Sequence, residues 1–222
     1  MAVDDMTVAR QYIRARGDRT SKQGLEYPMN KVIFEISMSL DGFITASNIR
    51  PEEPMGEGGQ RLHEWAFSGA DDRDRELLAQ AVSTEGATIA GRRTYDTSVR
   101  WWGADGPTGP ARVPVFVVSH DVPDDIPKGG VYTFVTDGIE RALQQAKTAA
   151  GDKNVSVMGG AEIGQQYIRA NLVDEIRIHL VPVLFGSGTR LFEHLGSEHI
   201  QLETAEVIKT AAAIHLRFRV VR

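Results

Sequence analysis

The chain has 222 residues, of which 41% are hydrophobic and 25% are charged, a composition typical of a globular protein with one or two domains. It contains no cysteine, which excludes disulfides, thiolate zinc sites and thiol nucleophiles. The formal net charge of −5 argues against nucleic acid as a partner, and the lack of a long apolar run argues against a membrane span.

The first 28 residues are polar and charged, and they differ from the rest of the chain. We interpret them as a loosely attached extension with some helix near Val8 to Arg16, without the features of a secretory signal. Residues 29–222 are predicted to form one domain, because no internal repeat or low-complexity linker divides them.

After residue 28, short apolar runs alternate with amphipathic stretches. The runs have the β-branched and aromatic content of strands in a sheet covered on both faces, and they span residues 31–39, 87–91, 113–119, 131–135 and 155–159. Helical periodicity lies between or after them, over residues 71–83, 136–151 and 161–172. Asp137 is a candidate N-cap for the second of these helices. This alternation predicts a mainly parallel α/β sheet.

The C-terminal third changes character. Residues 174–186 are predicted to be one long strand, and residues 200–210 and 212–222 are predicted to be two more, joined by a short turn. Strands with so short a link must be antiparallel. The predicted fold is therefore α/β, with three layers and a mixed, mainly parallel sheet of about eight strands that ends in an antiparallel hairpin.

Two adjacent glycines, Gly159 and Gly160, stand where a predicted strand ends and a helix begins. The first N–H groups of a helix lack intrahelical partners, and glycine has no Cβ to keep an anion away from them. The spacing is not that of the dinucleotide fingerprint, so a tight turn without a ligand is an equal alternative.

Polar groups follow two other predicted strands. Arg92 and Arg93 come directly after Gly91, beside Thr94 as a candidate helix cap, and Ser119 and His120 follow the strand at 113–119. Arginine forks suit phosphate geometry, although solvated surface arginines and an exposed histidine would look the same. Three such strand ends favour a ligand with several phosphates, and the arginine pair favours NADP over NAD.

The segments "SLDGFI", "AGRRTYD", "VFVVSH" and "VMGGAEIGQQYI" occur in the order found in the dihydrofolate reductase-like superfamily. The chain more closely resembles the reductase domain of the bifunctional riboflavin-biosynthesis deaminase-reductase, and most closely its stand-alone relatives, through "GGQRLHEWAF", "FVTDGIE", "GDKNVSVMGGA" and "HLVPVLFGSGTRLF". The resemblance covers about residues 29–222 and implies a dihydrofolate reductase-like fold that binds NADPH.

The resemblance also implies positions for the cofactor. Arg92 would hold the phosphate on the adenosine ribose with Ser119 nearby, and the Gly159–Gly160 bond would be a cis peptide. The full set of predicted cofactor-binding residues is Gly91, Arg92, Arg93, Thr94, Ser119, His120, Met158, Gly159, Gly160, Ala161, Glu162 and Ile163.

Hydride transfer needs a nicotinamide held against a C=O or C=N carbon, and a proton. Asp41, in the loop expected to cover the nicotinamide, and Glu64, in the helix expected to line the pocket, are the candidate catalytic residues. Asp41 could instead bond turn amides, Glu64 could be a surface acid, and the neighbouring His63 could be a core residue. The glycine-rich residues 54–60 suit a mobile lid or an ordinary flexible loop.

The resemblance places the substrate near the loop after residue 181 and implies a homodimer formed through that strand. Predicted substrate-binding residues are Phe43, Trp65, Phe185, Gly186 and Thr189, with Thr189 as a candidate cap of a short helix and Arg190 as a candidate anion ligand. The riboflavin-pathway reductases usually carry Lys or Arg where this chain has Phe43, and no deaminase motif is present.

These features predict a cytoplasmic NADPH-dependent oxidoreductase that reduces a C=O or C=N group of a small heterocyclic substrate, similar to the 5-amino-6-(5-phosphoribosylamino)uracil reductase of riboflavin biosynthesis. Two alternatives are dihydrofolate reductase activity on pterins and a non-catalytic dinucleotide-binding protein. A structural protein with an empty cleft is the remaining possibility. No metal ion and no nucleic acid are expected.

Overall fold

The structure is a computed structural model that describes residues 30–68 and 71–222. The predicted extension over residues 1–28 lies outside the described residues. The predicted domain boundary at residue 29 also lies outside them.

Eight strands form one sheet in the order β5-β4-β3-β6-β1-β7-β10-β9. The strands are β1 (Val32–Ser39), β3 (Glu85–Gly91), β4 (Val115–Val118), β5 (Tyr132–Val135), β6 (Asn154–Met158), β7 (Glu175–Val181), β9 (Leu202–Lys209) and β10 (Ile214–Val220). The first six in spatial order are parallel, and β10 pairs antiparallel with both β7 and β9. Two short strands, β2 (Phe43–Thr45) and β8 (Thr189–Arg190), pair with each other beside this sheet.

Helices lie on both faces of the sheet, as expected for three layers. They are α1 (Glu64–Phe67), α2 (Asp72–Thr84), α3 (Arg92–Trp102), α4 (Ile139–Ala150) and α5 (Ala161–Arg169), and a 3-10 turn over Gly59–His63 leads into α1. The predicted α/β class, the mixed sheet of eight strands and the C-terminal antiparallel hairpin are therefore confirmed.

The two faces of the sheet differ in chemistry because side chains alternate along each strand. One face is apolar: Val32 and Phe34 of β1 are buried in a large core cluster with α4 and α5. Gly164 of α5 allows the closest approach there, since a Cβ at this position would lie 2.3 Å from the Phe34 ring. On the other face β1 presents Glu35 and Ser37, next to α1 and α2.

Asp137 and Thr189 do not cap helices as predicted. Helix α4 begins at Ile139, and its N-cap is Gly138 at φ 93°, with no side-chain cap; Asp137 lies outside the helix. A positive φ at residue 138 suits glycine and replaces the capping geometry that Asp137 would have needed. Thr189 caps no helix, because it lies in strand β8 and pairs with Thr45.

The strand predicted over residues 174–186 is also too long. Strand β7 ends at Val181, before Pro182, which has no N–H to continue the ladder. The following residues turn out of the sheet and cross toward the loop after β1, where Leu40 N–H donates to Val183 O at 2.9 Å. This turn brings the predicted substrate loop beside Asp41.

Candidate functional site

The carboxyl ends of the parallel strands meet at one edge of the sheet, where α/β proteins generally bind ligands. The residues after β3, β4 and β6 carry the predicted cofactor groups, and those after β1 and β7 carry the predicted substrate groups. The edge is therefore a natural candidate functional site.

The paired glycines are in direct contact with Thr94 of α3. Gly160 N–H donates to Thr94 Oγ1 at 2.9 Å, and a Cβ on Gly159 would lie 2.5 Å from both Thr94 Oγ1 and Cγ2. Gly159 also has φ 92°, a conformation that side chains disfavour. Close packing of the α3 and α5 N-termini therefore explains Gly159 without any ligand.

Thr94 differs from its predicted role. Helix α3 begins at Arg92 with Gly91 as N-cap, so Thr94 lies inside the first turn and does not cap the helix. Its hydroxyl instead serves as the acceptor for the glycine amide of the neighbouring helix. The cis peptide implied at Gly159–Gly160 is absent: every peptide bond that the structure describes is trans.

The first turn of α5 has no side-chain cap, so helix geometry leaves the amides of Ala161, Glu162 and Ile163 without intrahelical acceptors. The Ile163 side chain is buried, and it lies 3.5 Å from where a Cβ on Gly91 would be. Met158, at the end of β6, packs against the core cluster beneath α3. Among these residues, the amides rather than the side chains are the groups able to bind an anion.

Arg92 is held by acids and by Ser119. Its Nε donates to Asp96 at 2.8 Å, its Nη1 forms an ion pair with Asp121, and Nη1 also donates to Ser119 Oγ at 3.1 Å. The hydrogen bond to Asp96 and the charge of the two acids raise the pKa of Arg92. Arg93 is exposed beside it and has no ion-pair partner among the described residues.

Two predicted cofactor residues, His120 and Glu162, have less support as ligands of an anion. His120 is exposed and follows Ser119, whose own side chain is buried. Glu162 is exposed in the first turn of α5, where a carboxylate favours the helix dipole but would repel an anion.

Asp41 fastens the loop after β1 to the loop after β7. Its carboxylate accepts from Ser39 Oγ at 2.6 Å, and from the N–H groups of Phe185 at 3.1 Å and Gly186 at 2.7 Å. The Ser39 hydrogen bond, supported by these amides, lowers the pKa of Asp41 to about 2. The carboxylate is thus ionised and fully engaged at neutral pH.

Helix α1 carries an ion-paired acid on its exposed side and a buried tryptophan against the sheet. Glu64 is exposed and forms an ion pair with Arg61 at 2.5 Å. Trp65 is only 5% exposed and donates from Nε1 to Ser37 Oγ at 2.9 Å. Burial, with a smaller effect of His179, lowers the pKa of His63 to about 4, so this histidine is neutral.

A shallow open pocket of about 420 Å³ lies between the loop after β2 and the loop after β7. Its lining residues are Ala46, Ser47, Asn48, Glu57, Gly58, Leu184, Phe185 and Ser187. Phe185 is thus the predicted substrate residue that faces it directly, with Gly186 adjacent. Phe43 is instead buried, with the Arg190 guanidinium 4.5 Å above its ring, and Thr189 Oγ1 accepts from Thr45 Oγ1 at 2.9 Å.

A buried chain of titratable groups crosses the polar face of the sheet, and sequence reasoning missed it. Glu35 Oε1 lies 3.1 Å from His179 Nε2, the Nδ1 atoms of His179 and His215 are 2.8 Å apart, and His215 Nε2 lies 2.9 Å from Asp74 Oδ1. Trp65 stacks on His179 with ring centroids 4.1 Å apart. Burial, followed by the charge of His179, lowers the pKa of His215 despite Asp74.

The period-two pattern of β10, with His215 and Arg217 alternating with apolar residues, was the signal available for this chain of groups. It indicated a sheet face with polar side chains. It did not indicate that α2 would cover this face and supply Asp74.

Comparison with known proteins assigns the family. The model of the RibD C-terminal domain matches residues 30–216. A relative from Bacillus subtilis (strain 168), the uncharacterized protein YwjB, is 28% identical over 186 residues, which are 83% of this chain and 96% of the relative. Residues 30–68 and 71–222 contain neither a helix with the length and hydrophobicity to cross a bilayer nor a cluster of three or more side chains suited to a metal ion.

Two solved structures share the fold at low identity. One is the diaminohydroxyphosphoribosylaminopyrimidine deaminase/5-amino-6-(5-phosphoribosylamino)uracil reductase from Thermotoga maritima, with a TM-score of 0.61 and 12% identity over 87% of this chain and 57% of that one. The other is dihydrofolate reductase from Enterococcus faecalis complexed with NADP(H), with a TM-score of 0.55 and 13% identity over 86% of this chain and 97% of that one. With the family model matching most of its length, the chain belongs to the RibD C-terminal domain family.

Proposed function

We propose that this protein is an NADPH-dependent reductase that transfers a hydride to a C=O or C=N carbon of a small heterocyclic molecule, of the kind reduced in riboflavin biosynthesis. The observation that carries the proposal is the contact of Thr94 with Gly160, which joins the first turn of α3, where Arg92 and Arg93 lie, to the start of α5, whose first amides lack intrahelical acceptors. Membership of the RibD C-terminal domain family supports the reductase class. The NADP(H) complex of a reductase with the same fold supports a nicotinamide dinucleotide as cofactor.

The donors at this edge fit such a cofactor. The amides of Ala161, Glu162 and Ile163 would bind the pyrophosphate, and Arg92 with Ser119 would bind a phosphate on the adenosine ribose. Arg93 would add a second guanidinium. The exposed His120 lies next to Ser119 in the loop after β4. The bound cofactor would supply the hydride.

Asp41 would act in this reaction as a positioning residue. Its ionised carboxylate orients the amides of Phe185 and Gly186, next to the shallow pocket where we place the substrate. Glu64 stays a candidate proton carrier, although it would have to leave Arg61 to reach a ligand. The pocket lining contains hydroxyls, one amide side chain and one acid, which suit the polar heterocyclic part of such a substrate.

A thermal-shift experiment tests the cofactor assignment. NADPH is expected to raise the melting temperature more than NADH, and Arg92→Ala is expected to reduce the NADPH shift while leaving the NADH shift in place. Arg100→Ala is the matched control, since Arg100 is an exposed arginine at the far end of the same helix. Equal shifts for both nucleotides in every variant would contradict a role for Arg92 in binding a phosphate.

Turnover tests the reaction. Loss of NADPH absorbance is measured with aminopyrimidine, pterin and carbonyl substrates under identical conditions. Activity with pterins alone would favour the dihydrofolate reductase alternative. Nucleotide binding without turnover of any of them would favour a non-catalytic dinucleotide-binding protein.

We also propose a cytoplasmic homodimer. The same face of β9 and β10 exposes three apolar side chains, Leu202, Val207 and Ile214, which supports association through the C-terminal hairpin. Light scattering coupled to gel filtration measures the oligomeric state, and Val207→Asp is expected to shift the mass to that of a monomer.

A further inference from the structure

Asp121 connects the two side chains that we assign to the ribose phosphate. The carboxylate forms an ion pair with Arg92 Nη1, and the Ser119 hydroxyl donates to the same oxygen, Oδ1, at 3.3 Å. Arg92 Nη1 also donates to the backbone oxygen of Asp121 at 3.3 Å, so the loop after β4 folds onto the guanidinium. One carboxylate oxygen thus accepts from both of the side chains that we assign to the phosphate.

A second acid shares the same arginine. Asp96, one turn further along α3, accepts from Arg92 Nε at 2.8 Å. Both acids are exposed, and the Arg92 side chain is 29% exposed, so these contacts can be exchanged for a ligand without opening the core. Asp121 is the one that also contacts Ser119.

We propose that Asp121 sets the cofactor preference of this site by competing with a ribose 2′-phosphate for Arg92 and Ser119. The inference rests on the proposed function, because it requires a nicotinamide dinucleotide at this edge. In dinucleotide-binding folds an acid near the ribose accepts a hydrogen bond from the 2′-hydroxyl of NAD(H), whereas an arginine accommodates the 2′-phosphate of NADP(H). This chain carries both groups, paired with each other.

The two cofactors therefore place different demands on Asp121. NADPH must displace the carboxylate from Arg92 and then bind a phosphate close to it, at a cost from like-charge repulsion. NADH can leave the ion pair intact and donate its 2′-hydroxyl to the carboxylate. The preference for NADPH that Arg92 provides is consequently smaller in the native chain than it would be without the acid at position 121.

The size of the effect follows from the exposure of the groups. An ion pair at the surface is weak, and one unit charge at about 4 Å from a doubly charged phosphate in water changes affinity by roughly tenfold after screening by salt. We therefore expect Asp121→Asn to increase the affinity for NADP⁺ by about tenfold and to leave that for NAD⁺ unchanged or slightly lower. The change should shrink at high ionic strength.

Isothermal titration of NADP⁺ and NAD⁺ measures this without any need for turnover. The matched control is Asp124→Asn, which makes the same change in net charge in an exposed position of the same loop, where no ion pair with Arg92 is present. Melting temperatures of both variants establish that they fold. The pair 2′,5′-ADP and 5′-AMP repeats the comparison with the adenosine half alone.

A gain in NADP⁺ affinity in Asp121→Asn that Asp124→Asn does not share is the expected result. Equal gains in the two variants would attribute the effect to net charge and overturn the inference. Unchanged NADP⁺ binding in both variants would overturn it as well, while leaving the proposed function intact. Failure of both dinucleotides to bind any variant would remove the proposed function itself and the inference with it.

Discussion

Gly159→Ala tests whether the fold alone requires the paired glycines. The substitution adds a Cβ at 2.5 Å from Thr94 Oγ1 and Cγ2, at a residue with φ 92°. The positive φ costs about 1–2 kcal/mol for a residue with a side chain, and overpacking costs about 1–3 kcal/mol. We expect a loss of about 2–5 kcal/mol in the free energy of unfolding, which lowers the melting temperature of a chain of this size by roughly 10 °C.

Three further variants separate the two costs. Gly196→Ala is the control for backbone strain, because Gly196 has φ 90° but open space around its Cβ position; it should lose only about 1–2 kcal/mol. Thr94→Ala removes the two nearest atoms, Oγ1 and Cγ2, and leaves Thr94 Cβ at 2.9 Å, so the double variant Gly159→Ala/Thr94→Ala should be more stable than the sum of the single losses by about 1–2 kcal/mol.

Urea unfolding followed by circular dichroism, without nucleotide, measures all four variants and the native chain. A Gly159→Ala protein as stable as the native one would refute the described contact. If the stability loss of the double variant equals the sum of the single losses, Thr94 is not the group that excludes a side chain at residue 159. Ligand binding would then be the remaining explanation for the glycine pair.

Three other predictions concern titratable groups. Burial raises the pKa of Glu85 from 4.5 to about 7, so the folded chain holds a proton that the unfolded chain releases, and native stability falls as pH rises between these values. Glu85→Gln should abolish this dependence and be more stable than the native chain at pH 8 by up to about 3 kcal/mol; identical urea midpoints at pH 5 and pH 8 in the native chain would contradict this. The lowered pKa of Asp41 means that its contribution is present above its ordinary pKa near 4 and is lost as pH falls toward 2, and Asp41→Asn should speed hydrogen exchange of the Gly186 amide at neutral pH. Asp74→Ala should cost about 1–3 kcal/mol by leaving the buried Nε2 of His215 without its hydrogen-bond partner, whereas Asp74→Asn should cost clearly less; similar losses for both variants in chemical unfolding would speak against the hydrogen bond.

The sheet and the strand-end residues were predictable because their signals are local. Continuous apolar runs identify covered strands, and the residues that follow each run must lie at one edge once the strands are parallel. This reasoning predicts that Arg92 lies near Ser119 and that Thr94 lies near Gly160, and both pairs are in contact.

The contacts that change the interpretation are not local. Thr94 and Gly160 are 66 positions apart, and Asp41 meets Gly186 across 145 positions, so neither pairing has a sequence signature. The sequence places an acid, Asp121, two residues after Ser119. The contact of its carboxylate with Arg92 depends on the fold of the loop. The predicted N-cap at Asp137 is wrong for a local reason. The helix begins one residue later, after Gly138, whose positive φ suits glycine.

The hydrogen bond from the Gly160 amide to the Thr94 hydroxyl joins two helices at their starting points. The distance between the N-termini of α3 and α5 is therefore fixed before a ligand binds. A ligand that contacts both helices does not have to move either of them. Adenosine fragments that contain both phosphate groups should consequently retain most of the affinity of the whole dinucleotide, because little conformational freedom is left to lose.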